Sequence, residues 1–281
     1  MFDATYVINL DRSPARWTTA QRATRLAGLP NVIRMPGVDG RRLDVAAIAA
    51  LQEEGTLALH LSGFDATCRN AEIGCGVSHA RVLQDIMRRG WRSALVLEDD
   101  IELTGAVADW PARFRAAWND LPENWELWYL YRCFDVRHRV TRISPRTVIP
   151  WSPQSGAAYA VTARGAQILH AELTPLAGAV DRIYMEVVQT RRIVSFAASP
   201  MLIDPAQGSQ ASLIRGDTPA QPWLVHGVNR PPEYWPARYL AHLGESPTVS
   251  STLAEWWYRV TSALRRLWQQ FAVRGERASR E

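Results

Sequence analysis

The segment Ser93-Ala-Leu-Val-Leu-Glu-Asp-Asp100 is the most informative stretch of the sequence. Four apolar residues have the pattern of a buried strand and run directly into three adjacent carboxylates. Adjacent acids repel one another unless a cation lies between them, and ligands of open α/β sheets collect at the carboxyl ends of strands. The segment therefore predicts a site for a divalent metal and the phosphates that it neutralises. The alternative is a strand that ends in a solvated acidic turn.

The sequence around this segment alternates between strand and helix patterns, which predicts an α/β protein with a mostly parallel central sheet flanked by helices. Strand patterns cover 5–9 and 31–35, helix patterns cover 14–27 and 44–54, and a further helix begins near Ala71 or Gly76 and ends at Arg89. After residue 110 the pattern loosens. Strand patterns remain at 125–131, 157–161 and 192–198, a hairpin pattern lies within 137–149, and short helix patterns cover 164–172 and 181–189.

Composition and charge narrow the classes of function. The chain has 281 residues and a formal net charge of +4. Residues 251–281 contain six Arg and three Glu, so most of the excess charge lies in this tail. Nucleic-acid binding would rest on this charge alone, and we expect no nucleic-acid partner.

Cysteine use and the absence of targeting patterns predict a cytoplasmic protein. The three cysteines, Cys68, Cys75 and Cys133, are an odd number, which disfavours a disulfide framework. Cys68, Cys75 and His79 are conceivable ligands of a soft metal, but a fourth ligand at a familiar spacing is missing, so we do not expect structural zinc. The N-terminal sequence lacks the pattern of a signal peptide, and no apolar run is long enough to span a bilayer.

The C-terminal region predicts two further segments after a domain at 1–220. Residues 221–250 form a connecting segment that contains Pro and Trp, and 251–281 form an amphipathic basic helix that begins with a capping box, Thr252 and Glu255. A Trp-rich stripe opposite arginines suits an anionic membrane surface, which would place the protein peripherally on the inner face of the cell membrane. The alternative is a helix that packs on the catalytic domain.

Several motifs occur in an order that resembles glycosyltransferase family 25, over roughly residues 5–215. They are Val7-Ile-Asn-Leu-Asp-Arg-Ser-Pro-Ala-Arg16, Glu72-Ile-Gly-Cys-Gly-Val-Ser-His79, Leu95-Val-Leu-Glu-Asp-Asp100, Ser155-Gly-Ala-Ala-Tyr159 with Arg164-Gly-Ala166, and Val180-Asp181. The resemblance implies a GT-A-like domain that binds a nucleotide sugar, commonly UDP-galactose, together with Mn²⁺ or Mg²⁺. It also implies inverting transfer of a hexose to a glycan or glycolipid acceptor in lipopolysaccharide biosynthesis. The alternative is a non-catalytic relative that binds a glycan or nucleotide.

The same resemblance assigns roles to the acids and to a catalytic base. Asp100 would be a direct metal ligand, with Asp99 beside it, while Glu98 or Asp99 would contact the ribose or a metal-bound water. Asp181 is the first candidate for the base that takes the acceptor proton, and the alternative is an N-cap role. His79 is the second catalytic candidate. Weaker candidates are Asp135 and Glu186.

Other residues are candidates for donor binding. Asn9, Arg12 and Arg16 follow the first strand, where a loop faces the nucleotide in related sheets, although Arg16 also fits a solvated helix face. Ser78 and His79 are expected near the start of a helix, whose N-terminus favours anions. A core or capping role is the alternative for His79.

A last group of candidates lies later in the chain. Ser155, Gly156 and Tyr159 are expected to line the donor or acceptor pocket, with a turn and a buried strand as the alternative. Gln207 and Ser212 fall near a late Gln and Ser of the family.

Overall fold

The computed structural model describes residues 1–133, 135 and 140–206, and the elements named below lie within these residues. The strands are β1 (Ala4–Asn9), β2 (Val32–Pro36), β3 (Ser93–Glu98), β4 (Ile101–Leu103), β5 (Leu127–Tyr129), β6 (Thr141–Arg142), β7 (Thr147–Ile149), β8 (Ala158–Thr162), β9 (Ser195–Ala198) and β10 (Ile203–Pro205). The α-helices are α1 (Pro14–Leu26), α2 (Val45–Glu53), α3 (Arg69–Arg89), α4 (Trp110–Asn119), α5 (Ala163–Leu173) and α6 (Val180–Gln189).

The acid-rich segment lies near the middle of an eight-stranded sheet of order β2-β1-β3-β8-β5-β9-β7-β6. β1 is parallel to both β2 and β3, as the βαβα pattern predicts. β8 then runs antiparallel to β3 and β5, and β7 runs antiparallel to β9, so the remainder of the sheet is mixed. The alternation of strand and helix patterns, which predicts parallel pairing, ends at β3. The first antiparallel pair of the sheet, β3 with β8, follows at this point.

Local sequence explains the first crossover. Ser13 occupies the N-cap position of α1 and Pro14 its first turn, where a proline costs no hydrogen bond. After the helix, Gly28 has φ +65°, a left-handed conformation in which glycine is favoured. α1 thereby returns the chain to β2 beside β1, and the connection leaves the carboxyl end of β1 uncovered.

The two faces of the sheet are covered by different helices. On one face Tyr6, Val96 and Tyr159 belong to a core that includes apolar residues of α3, α5 and α6. On the other face Trp128 packs against Phe114 of α4 at 5.7 Å between ring centroids. Alternate strand residues therefore enter different cores, as the two-residue period of a strand requires.

Helix α3 begins earlier than either start considered from the sequence. It begins at Arg69, so Ser78 and His79 lie in its third turn and not at its N-terminus. The expectation that a helix N-terminus places these two side chains near an anion is wrong, because the amide groups of the first turn are several residues away.

Three elements were missing from the sequence interpretation. α4 lies after residue 110, where the strand and helix patterns of the sequence weaken. β4 and β10 pair with each other in a separate two-stranded sheet. β10 also follows β9, which the sequence predicts as the last strand. The predicted hairpin is confirmed in β6 and β7, which are antiparallel.

The connecting segment 221–250, the tail 251–281, and Gln207 and Ser212 lie outside the described residues. Within the described part, none of the helices is both long and apolar enough to cross a bilayer.

Candidate functional site

A cleft with a cavity volume of about 120 Å³, open to solvent, lies at the carboxyl ends of β1, β2 and β3. The parallel register places Ile8 beside Glu98, so the residues that follow both strands emerge together. The polar and charged side chains that line the cleft are Arg12, Arg16, Asp39, Arg41, Cys75, Ser78, His79, Glu98, Asp99 and Asp100.

Asp99 is held by two neighbours from the β1–α1 region. The amide nitrogen of Asn9, which is buried, donates to Asp99 Oδ2 at 2.6 Å, and Arg16 donates to Asp99 Oδ1 at 3.3 Å. Asn9 is itself fixed, because its Oδ1 accepts from Arg34 Nε at 2.8 Å. The carboxylate of Asp99 therefore has one orientation in the floor of the cleft.

Asp100 is in a different electrostatic environment. Its Oδ2 accepts from Arg16 at 3.3 Å, but burial, and then the negative charge of Glu98, raises the pKa of Asp100 to about 7, with a smaller contribution from Asp99. A carboxylate that is costly to ionise among other acids is the environment that a bound cation would relieve.

Arg12 and Arg16, which the sequence suggests as phosphate contacts, both line the cleft. Arg12 donates from Nε to Asp39 Oδ2 at 2.8 Å, and Arg16 bridges Asp99 and Asp100. Both guanidinium groups are partly exposed and are thus accessible to an anion that enters from solvent.

The Gly-Cys-Gly-Val-Ser-His motif lies within α3 and packs the helix closely against the β2–α2 loop. A Cβ on Gly74 would lie 2.5 Å from the carbonyl oxygen of Val38, so the helix and the loop can approach this closely only with glycine. Ser78 Oγ accepts from Val38 N at 2.8 Å and donates to Gly74 O at 2.6 Å. The hydroxyl of Ser78 therefore fixes a wall of the cleft.

His79 lies at the centre of a chain of hydrogen bonds. Its Nδ1 lies 2.9 Å from the hydroxyl of Tyr159, which lies 2.9 Å from the hydroxyl of Tyr184, and its Nε2 lies 3.4 Å from Glu98 Oε1. Both tyrosines are fully buried. Tyr159 thus lies behind His79 and holds the imidazole, whereas His79 itself faces the cleft.

Ser155 and Gly156 lie just before β8, and neither is among the described residues that line the cleft. Ser155 is buried, and its Oγ accepts from Ala157 N at 2.9 Å. A Cβ on Gly156 would lie 3.1 Å from His79 Nε2 and 3.4 Å from Glu98 Oε1. Ser155 therefore shapes the turn, and Gly156 leaves space over the imidazole.

Asp181 lies in the first turn of α6, where Ala179 occupies the N-cap position. Its Oδ1 accepts from the backbone N–H of Arg182 at 2.8 Å. Burial raises the pKa of the Cys75 thiol well above its ordinary value, and the charges of Glu98 and Asp181 raise it further. Asp181 is not among the described residues that line this cleft.

The two weaker base candidates have structural contacts. Asp135 accepts from the backbone N–H groups of Trp151 and Ser152 and pairs with Arg132 at 2.9 Å. Glu186 is exposed and lies 4.0 Å from Arg192. The geometry favours neither of them as a catalytic base.

Sequence reasoning missed three polar residues that line the cleft, Asp39, Arg41 and Cys75. Cys75 was assigned no role there, although its spacing of four residues from His79 on a helix places both on one face. Asp39 and Arg41 lie in the β2–α2 loop, and their place in the cleft depends on tertiary packing that local sequence does not encode.

Part of the chain is similar to known proteins. No curated protein sequence matches the chain. Among solved structures, mouse xyloside xylosyltransferase 1 in its apo form has a TM-score of 0.32 and 10% sequence identity, over 68% of this chain and 69% of that one. The sequence model of glycosyltransferase family 25 (LPS biosynthesis protein) matches residues 2–145, which is more than half of the chain and contains the acid cluster, the two arginines and the His79 motif. By this match, the protein is a member of glycosyltransferase family 25.

Proposed function

We propose that this protein transfers a hexose, galactose from UDP-galactose, to a hydroxyl group of a cell-surface glycan or glycolipid precursor, with inversion and with the assistance of a divalent cation. One observation carries the proposal: Asp99 and Asp100 meet Arg12 and Arg16 in one cleft at the carboxyl edge of the parallel strands. Acids that bind a cation and arginines that donate hydrogen bonds to phosphate are the two parts of a nucleoside-diphosphate site.

A GT-A-like arrangement of the domain is part of the proposal. The parallel order β2-β1-β3 and a ligand cleft beyond the ends of these strands support it. The family's description as an LPS biosynthesis protein supports a glycan or glycolipid as the acceptor.

The residues present fit a divalent cation. Asp100 has an unfavourable charge among Glu98 and Asp99, and carboxylate oxygens are the ligands that Mn²⁺ and Mg²⁺ prefer. Asp100 would hold the ion together with Asp99, whose oxygens keep free lone pairs beside the contacts to Asn9 and Arg16. When bound, the ion would neutralise charge on the departing diphosphate.

The chain's own residues would orient the donor and move one proton. Arg12 and Arg16 bind phosphate oxygens, and Glu98 contacts the donor at the edge of the cleft. Asp181, in the first turn of α6, takes the proton of the acceptor hydroxyl. His79 is held by Tyr159 and aims Nε2 at Glu98.

Hydrolysis of a panel of nucleotide sugars, measured with and without Mn²⁺, tests the proposal. We expect Mn²⁺-dependent release of UDP from UDP-galactose. Asp100→Asn should lose at least about 100-fold in rate, the size expected when charge stabilisation of a leaving group is removed. Glu123→Gln removes an exposed carboxylate outside the cleft lining and should leave the rate unchanged.

The same panel distinguishes the non-catalytic alternative. A protein that binds a nucleotide sugar but releases no UDP with any donor or metal would be a binding relative. An Asp100→Asn variant with the full rate would remove the metal assignment while leaving glycosyl transfer intact.

A further inference from the structure

Three potential metal ligands of different chemistry converge in the cleft. Cys75 and His79 lie four residues apart on one face of α3, and Glu98 ends β3. One ligand atom from each lies within 4.8 Å of the other two. The set joins a thiol, an imidazole and a carboxylate, and so differs from the all-oxygen pair at Asp99 and Asp100.

The distances are close to those of one shared ion. In a tetrahedral zinc site, bond lengths of 2.0–2.3 Å separate ligand atoms by about 3.4 Å for N and O and by about 3.6 Å for pairs that include S. Here His79 Nε2 and Glu98 Oε1 are 3.4 Å apart, and Cys75 Sγ and Glu98 Oε1 are 3.9 Å apart. Small rotations of the Cys75 and Glu98 side chains would complete the geometry.

The imidazole is already oriented as a ligand. His79 is 1% exposed, and the Tyr159 hydroxyl at 2.9 Å occupies Nδ1 and leaves Nε2 to face Glu98. Metal-bound histidines characteristically have their second nitrogen fixed in this way. Tyr184 extends the support one step further.

Space for an ion remains because residue 156 is glycine. A Cβ there would lie 3.1 Å from His79 Nε2 and 3.3 Å from its Cε1. Cys75, His79 and Glu98 all line the solvent-open cleft, so an ion can enter and a water or a ligand can complete its coordination.

We propose that Cys75, His79 and Glu98 form a second cation site, selective for a borderline ion such as Zn²⁺ or Co²⁺ and distinct from the oxygen site at Asp99 and Asp100. Thiolate and imidazole ligands favour these ions over Mn²⁺ and Mg²⁺. On binding, the Sγ–metal bond replaces the S–H bond, and the proton passes to solvent. The inference does not rest on the proposed transfer reaction.

Titration of the full chain with Co²⁺, in the absence of donor, tests the site by absorption spectroscopy. We expect a near-ultraviolet thiolate-to-Co²⁺ charge-transfer band that saturates at one ion per chain and disappears on addition of Zn²⁺. In the double variant Cys68→Ser/Cys133→Ser, Cys75 is the sole cysteine and the band should remain. Cys75→Ser should lose it.

Two further variants keep the test decisive. Gly156→Ala removes no ligand but fills the space over Nε2, and should raise the Kd for Co²⁺ at least about 10-fold. Asp100→Asn should retain the band even if it abolishes transfer, which separates this inference from the proposed function. Co²⁺ binding without a thiolate band in the double variant, or loss of the band in Asp100→Asn, would overturn the proposal.

Discussion

At the scale of single residues, the three adjacent acids have three different environments. Asp99 is held by Asn9 and Arg16, Glu98 faces His79, and Asp100 is the one whose ionisation is disfavoured. A run of like charges in the sequence thus becomes a set of groups with separate tasks.

Asp100→Asn should stabilise the metal-free protein. Because the pKa of Asp100 is raised to about 7, its charge opposes folding at higher pH, and we expect a gain in the free energy of unfolding of about 1–3 kcal/mol at pH 8. As pH falls to 5, Asp100 becomes protonated in the folded state while the unfolded side chain, with a pKa of about 4, remains charged. The advantage of the variant should therefore shrink with falling pH.

Urea unfolding in the presence of a chelator, at pH 8 and at pH 5, measures this difference. Glu123→Gln is the matched control and should show no change at either pH, because Glu123 is exposed. If Asp100→Asn were less stable than the unchanged protein at pH 8, the charged form of Asp100 would not destabilise the folded state.

The hydrogen-bonded chain behind His79 predicts unequal costs for two similar changes. Tyr159→Phe leaves both His79 Nδ1 and the Tyr184 hydroxyl without this partner, and should cost about 2–3 kcal/mol of unfolding free energy. Tyr184→Phe leaves the Tyr159 hydroxyl bonded to His79 and should cost about 1 kcal/mol. Chemical denaturation of both variants measures the two free energies of unfolding. Equal losses would show that the hydrogen bonds of His79, Tyr159 and Tyr184 do not act as one connected series.

At the scale of elements, the packing of α3 on the β2–α2 loop determines the shape of the cleft. Gly74 and Gly76 lie on the same helix but meet different neighbours. A Cβ on Gly74 would meet backbone, Val38 O at 2.5 Å and Gly40 N at 3.0 Å, whereas a Cβ on Gly76 would meet the side chain of Leu176 at 2.6 Å.

Gly74→Ala should therefore destabilise the protein by about 2 kcal/mol more than Gly76→Ala, because a side chain can adjust and a backbone wall cannot. Both changes gain about 1 kcal/mol of helix propensity, so the comparison cancels that effect. Gly74→Ala should also raise the KM for the donor, since Gly37, Asp39 and Gly40 line the cleft. Unfolding curves and donor kinetics measure the two effects, and a costlier Gly76→Ala would refute the packing argument.

Some helices and strands have clear local signals in the sequence, and others have none. β1, α1 and β3 are defined by local signals: apolar runs, a proline in the first turn and a terminal glycine. α4 carried a usable signal as well, since Trp110, Phe114 and Ala117 follow helical spacing. β4 and β10 are three residues each and pair across about a hundred residues, so neither has a pattern of its own.

The candidate site likewise contains some features that the sequence predicts and others that only tertiary packing creates. Acids after a strand and arginines after another strand predict a cleft, because parallel strands share a carboxyl edge. That Cys75 and His79 meet Glu98 depends on how α3 crosses β3, and the support from Tyr184 depends on α6. Such contacts follow from tertiary packing and not from spacing.

At the scale of the whole molecule, the sheet combines a parallel half with a mixed half. β8 inserts antiparallel between β3 and β5, which brings Ser155 and Gly156 to the edge where β1 and β3 end. The βαβα pattern could not predict this insertion. It places the turn before β8 beside His79, because a Cβ on Gly156 would lie 3.1 Å from His79 Nε2, while the residues that line the cleft itself all lie between Ile8 and Asp100.

The basic, Trp-rich segment 251–281 leads to the last prediction, which rests on its sequence. Six arginines against three glutamates and an apolar stripe with Trp256, Trp257 and Trp268 predict binding to anionic membranes. Each arginine near an anionic surface contributes about 1 kcal/mol, and salt screens this attraction. In vesicle sedimentation we expect the full chain to bind anionic vesicles, to bind them less in high salt, and not to bind zwitterionic vesicles. A chain that ends at residue 250 should remain in the supernatant. Equal sedimentation of the two chains would exclude the tail as the membrane contact and favour its packing on the catalytic domain.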